Sequence, residues 1–182
     1  AMAILVTHIS AAVGALTWMI VEWIKTGKPT VVGIATGMVA GLATITPASG
    51  TVGPQGALLI GLLAGLICFY ATQMIKGFFK IDDSLDVFPV HGVGGILGIL
   101  MLAFVGKPNG FLGAGAAGFN PSVFEQFMIQ LQGVVVICLW TLVFSWIALK
   151  ITSLVTNLRV SEESEYEGLD ITEHNESGYS AS

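Results

Sequence analysis

Five long apolar stretches, at about 2–24, 29–46, 55–75, 87–105 and 123–152, constrain this chain more than any other feature. Crossing a bilayer as a helix takes about 20 mainly apolar residues, and each stretch comes close to that length or exceeds it. Only 10% of the residues are charged while 54% are hydrophobic, whereas a soluble domain carries roughly 25% charged residues. A water-facing surface of ordinary size cannot be built from such a composition. The expected fold class is an all-α polytopic membrane protein, with a transmembrane region over 1–158 and an acidic tail over 159–182.

The few charges fall in a pattern. Lys25, Lys28, Lys76, Lys80, Lys150 and Arg159 lie in segments that share one side of the five-span arrangement, and Lys107 alone lies on the other. Basic residues in short loops favour the cytoplasm. The first residue is therefore expected outside and the tail inside, in a cell (inner or plasma) membrane. Seven of the 12 acidic residues belong to residues 161–182, so the body is near neutral and offers no footprint for nucleic acid. The chain enters a hydrophobic run at Ala1 without a basic or polar lead. A signal peptide would show a basic start, so a fragment that begins within or just before a span is the expectation.

Small residues recur at helical spacing. Gly33, Gly37 and Gly41 lie on the second span, Gly61 and Gly65 on the third, and Gly94 and Gly98 on the fourth. Residues four apart share a helix face, and small ones let helix backbones approach closely in lipid. A compact bundle follows, with Pro29 in the opening turn of the second span. The segment TPASGTVGPQG at 46–56 reads as a break between helices, tolerated at membrane depth only under cover of protein or water. Residues 106–122 read as an external connection and 76–86 as a short cytoplasmic linker. Cys68 and Cys138 are expected to act as small buried hydrophobes.

Among residues able to carry chemistry, His91 stands out. It is placed about 5 residues into the fourth span, hence roughly 7 Å deep at 1.5 Å per residue. Ionisable groups at that depth usually face a cavity or pathway. Regular helical spacing sets Val87, Phe88, Gly94 and Gly95 beside it, which leaves room and supplies no charged partner. A neutral imidazole there can donate one hydrogen bond and accept another. Asp82, Asp83 and Asp86 precede the helix, and Asp86 is the expected N-terminal cap. Thr46 adjoins Pro47 at the break, where its hydroxyl can satisfy a freed carbonyl. His8, near the outer end of the first span, reads as a surface or packing histidine. No nucleotide loop, metal-ligand pair or nucleophile with a nearby base is present, so the sequence reads as a non-enzyme that needs no cofactor.

Residues 81–98, IDDSLDVFPVHGVGGILG, resemble the most distinctive segment of the ammonium transporter (Amt/Rh) family. GKPT at 27–30, TPASG at 46–50 and EGLDITEHNESGY at 167–179 resemble further segments of that family in the same order. The resemblance implies an inverted-repeat bundle of eleven spans, of which these would be the last five plus the tail, assembled as a homotrimer with an apolar pore through each subunit. It implies that His91 is one of two pore histidines, the other belonging to the absent half, with Val87 and Thr46 at or near the pore wall. Asp86, Gly92 and Gly95 match structural positions of the pore helix. Glu167, Gly168, Leu169, Asp170 and Tyr179 match a regulatory tail that docks against PII-type signalling proteins. Asn175 and Gly178 depart from the family's tail, where a glycine and usually an alanine stand. The implied activity is recruitment of ammonium, its deprotonation, and passage of ammonia past the histidines. The alternative is a membrane sensor that reports ammonium to a cytoplasmic partner.

Overall fold

The computed structural model describes residues 1–106 and 122–177, and every regular element among them is helical. The chain divides into two compact units, Ala1–Val135 and Val136–Ser182. The first holds α1 (Met2–Thr26), α2 (Val31–Ile45), α3 (Pro54–Gln73), α4 (Gly94–Val105) and the start of α5 (Val123–Ser153). A π-helical turn, Met74–Phe78, extends α3, and another, Phe88–Val93, leads into α4. Among the described residues, four helical segments are long and apolar enough to cross a membrane: Met2–Thr26, Pro54–Phe78, Phe88–Val105 and Val123–Ser153. The protein is a multi-pass membrane protein.

Local chemistry fixes the ends of these helices. α1 closes at Gly27, which adopts φ 83° and donates its N–H to the Trp23 carbonyl at 2.9 Å. A left-handed residue at that position favours glycine. Thr30 then caps α2, its hydroxyl accepting from the Gly33 N–H at 2.9 Å. Glu22 reaches across from α1 and accepts from both the Thr30 hydroxyl (2.9 Å) and the Thr30 N–H (3.1 Å). The turn between the first two helices is thus tied by side chains from both. Pro29 lies just ahead of the cap; the opening turn itself begins at Val31.

The glycine stripes of α2 and α3 converge on one stretch of α1. A Cβ on Gly37 would strike Trp18 and the backbone of Gly14, and one on Gly41, Gly61 or Gly65 would strike the backbone of Ser10 or Gly14. The buried Ser10 hydroxyl donates to the Gly41 carbonyl at 2.9 Å. α4 meets α2 in the same manner, Gly94 and Gly98 both lying against Thr44. Cys68 is buried in this region, whereas Cys138 is exposed on α5. The expectation of burial therefore holds for Cys68 and fails for Cys138.

α2 is only 15 residues long, a rise of about 22 Å at 1.5 Å per residue. It stops where Pro47 removes an N–H donor, and turns occupy 46–51. Ala48 and Val52 in that break are buried with Val6, Ile45, Ala57, Ile60 and Val105, so irregular backbone is covered by protein as its membrane depth requires.

In the second unit, Trp140 stacks on Phe144 at 4.1 Å, and two short helices follow α5: α6 (Glu162–Glu167) and α7 (Leu169–Thr172). Ser161 caps α6 through Ser164, and Arg159 forks onto the Glu165 carboxylate at 2.7 and 3.0 Å.

Candidate functional site

The helix that carries His91 begins with all four of its first N–H positions accounted for. Asp83 Oδ1 accepts from the Val87 N–H at 2.9 Å and Asp83 Oδ2 from the Phe88 N–H at 2.8 Å. Pro89 has no N–H, and the Val90 N–H donates to the Asp86 carbonyl at 3.0 Å. The cap is therefore Asp83, and the assignment of that role to Asp86 is corrected. Asp86 sits at φ 56°, outside the extended backbone from which a capping residue reaches forward. Its carboxylate instead pairs with Lys76 Nζ at 2.8 Å.

His91 itself lies inside the π turn Phe88–Val93. Such turns carry one residue more than an α-helical turn and often mark functional positions. Regular 3.6-residue spacing, which set Val87, Phe88, Gly94 and Gly95 around the ring, does not hold here. The Phe88 ring lies over Gly92, Gly94 is buried against Thr44 and Cys68, and Gly95 faces open space. Close packing in this helix thus belongs to Gly94 and Gly98, while Gly92 makes room for an aromatic ring.

The imidazole is exposed and borders a groove of about 330 Å³. Val31, Val32, Thr36 and Val39 of α2 line it together with Leu85 and His91, and none of its lining residues is charged. Such a surface favours a small uncharged solute over a bare ion, with the ring and one hydroxyl as the polar groups available. Val87 is exposed at the start of the helix but does not line the groove. Thr46 lies ten residues beyond Thr36, about 15 Å along the helix axis. Its hydroxyl is turned back to the Leu42 carbonyl at 2.7 Å. Thr36 is the hydroxyl-bearing residue of α2 that lines the groove with the histidine, its own hydroxyl donating to the Val32 carbonyl at 2.8 Å. His8 borders a separate, mainly apolar groove of about 500 Å³ with Met38 and Leu42.

In the tail, Glu167, Gly168, Leu169 and Asp170 form the junction of α6 and α7. Gly168 takes φ 104°, and its carbonyl accepts from the Ile171 and Thr172 N–H groups. Tyr179 lies outside the described residues, as do Lys107 and most of the connection read as external.

The pattern that defines the Ammonium Transporter Family matches residues 1–179. The chain belongs to that family. An ammonium transporter of Aquifex aeolicus is 40% identical over 179 residues, covering 98% of this chain and 41% of the relative. Among solved structures, one described as a sensor Amt protein superposes with a TM-score of 0.84 at 31% identity, covering 94% of this chain and 41% of that one. The Mep2 structure of Saccharomyces cerevisiae gives 0.77 at 32% identity, over 89% and 37% respectively. The chain thus spans about two-fifths of the length of these relatives.

Proposed function

We propose that this chain is the C-terminal portion of a transporter that takes up ammonium nitrogen as ammonia, with His91 as the second-repeat histidine of the pore. Ammonium is recruited outside and gives up a proton; ammonia crosses an apolar passage, hydrogen-bonded in transit to His91, and regains a proton inside. The observation that carries this reading is the open, uncharged groove beside His91. A ring sealed in packing could not serve a permeant, and a charged lining would hold the cation. Val87 and Thr46 lie at or near the pore wall in the complete protein. The full-length protein is a homotrimer with the N-terminus of this segment outside and the tail in the cytoplasm. The junction Glu167–Asp170 and Tyr179 form the contact for a PII-type protein.

The test is uptake of labelled methylammonium by cells producing the full-length protein. His91→Ala is expected to lower uptake at least tenfold or to admit other monovalent cations, at unchanged membrane level. Uptake and selectivity equal to those of the parent would remove His91 from the pathway. A membrane sensor sharing the fold would show little flux in the parent itself, so the same assay separates that reading.

A further inference from the structure

We infer that Lys76 is a positioning residue for His91, acting through Asp86 to keep the imidazole turned into its groove; the inference rests on the pore role proposed for His91. The π turn Phe88–Val93 holds one residue more than an α-helical turn would, and it is anchored at both ends. Downstream, Gly94 and Gly98 lie against Thr44 so closely that a Cβ on either would meet Thr44 atoms. Upstream, Asp83 grips the Val87 and Phe88 N–H groups, and the Asp86 carbonyl holds the Val90 N–H.

Asp86 is itself held from outside the helix. Its Oδ1 is buried without a hydrogen-bonding partner apart from the ion pair, and Lys76 Nζ lies 2.8 Å from that oxygen. Lys76 belongs to the π turn at the end of α3. The ion pair therefore ties the last part of the linker, just ahead of the His91 helix, to the end of α3, in a linker where Lys80 and Asp86 both take left-handed backbone. Removing the Lys76 head would leave a largely buried carboxylate without its counter-charge, an arrangement that favours its turning toward water. Asp86 would turn outward and release the upstream anchor. The wide turn could then tighten to α-helical winding, and one residue of winding is about 100° of rotation. His91 would leave the groove while Gly94 and Gly98 stayed in place.

The decisive measurement is the accessibility of the ring position rather than flux alone. In the full-length protein with Cys68→Ala and Cys138→Ala, His91→Cys is reacted with a small methanethiosulfonate reagent, with and without Lys76→Met. Modification is expected to slow about tenfold with Lys76→Met and to stay within about twofold with Lys76→Arg. The double variant Lys76→Met/Asp86→Asn has no unpaired charge and should fold, yet should still react slowly because the tie is missing. Equal rates in all backgrounds would overturn the positioning role, as would full recovery in the double variant. In methylammonium uptake with His91 intact, Lys76→Met should lower the maximal rate at least fivefold. If His91→Ala transports normally, the pore reading fails whatever Lys76 does. If His91→Ala is inactive and Lys76→Met matches the parent in rate and accessibility, only the present inference fails.

Discussion

α1 and α5 have similar apolar character and opposite surroundings. α1 buries Val6, Ser10, Ala11, Gly14 and Trp18 along one face, whereas none of the 31 residues of α5 is buried. Hydropathy does not separate them, since both qualify as membrane-crossing helices. Residue size does. The centre of α1 is Ser, Ala and Gly, and the glycines of α2 and α3 face it. α5 has one glycine, Gly133, with nothing near it, amid large side chains such as Trp140, Phe144 and Trp146. Apolarity places a helix in the membrane; small residues choose which protein surface it lies against.

That contrast can be broken directly. Gly98→Leu drives a side chain into the Thr44 carbonyl and the Pro47 ring and is expected to cost about 3 kcal/mol, at the upper end of ordinary overpacking. Gly133→Leu should leave thermal stability in detergent unchanged; equal losses from the two would erase the distinction. A smaller difference tests the polar part of the α1 interface. Ser10→Ala removes a buried bond to the Gly41 carbonyl and should destabilise by about 1 kcal/mol, while Ser145→Ala on α5 should be silent in the same melt. Smallest is the effect in the tail, where no packed interface is at work. The Arg159 guanidinium, by hydrogen bond and then by charge, holds the Glu165 carboxyl below its ordinary 4.5. A depressed carboxylate contributes order above its ordinary value and loses that contribution as pH falls through the lowered one. A spin label at Ser164 in the full-length protein should thus gain mobility below about pH 4.5, the ordinary carboxylate range. Arg159→Gln should show much of that mobility already at pH 7.

The helices and the bundle were legible in the sequence because they follow from run length and glycine spacing, both local quantities. The approach of Gly37 and Gly41 to α1, and of Gly94 and Gly98 to Thr44, is what those spacings mean in three dimensions. The entry to the His91 helix was not legible. Asp86 stands next to the first helical residue and looks like its cap, but its left-handed backbone is compatible with the ion pair to Lys76, ten residues away, and the capping role passes to Asp83. The π winding around His91 likewise depends on anchors in two other segments, which helical periodicity cannot register. That Thr36 shares a groove with His91 was not legible either, because it depends on how two helices lie together and not on spacing along one.

The shortness of α2 has a consequence for the break that follows it. Its 15 residues leave about 8 Å of a 30 Å hydrocarbon layer unspanned by regular helix. That remainder is crossed by peptide units whose dipoles are not aligned in a continuous ladder. The polar groups of that stretch depend on the side chains of Val6, Ile60 and Val105 packed around it, so the break keeps its shape only as long as three other helices hold it closed.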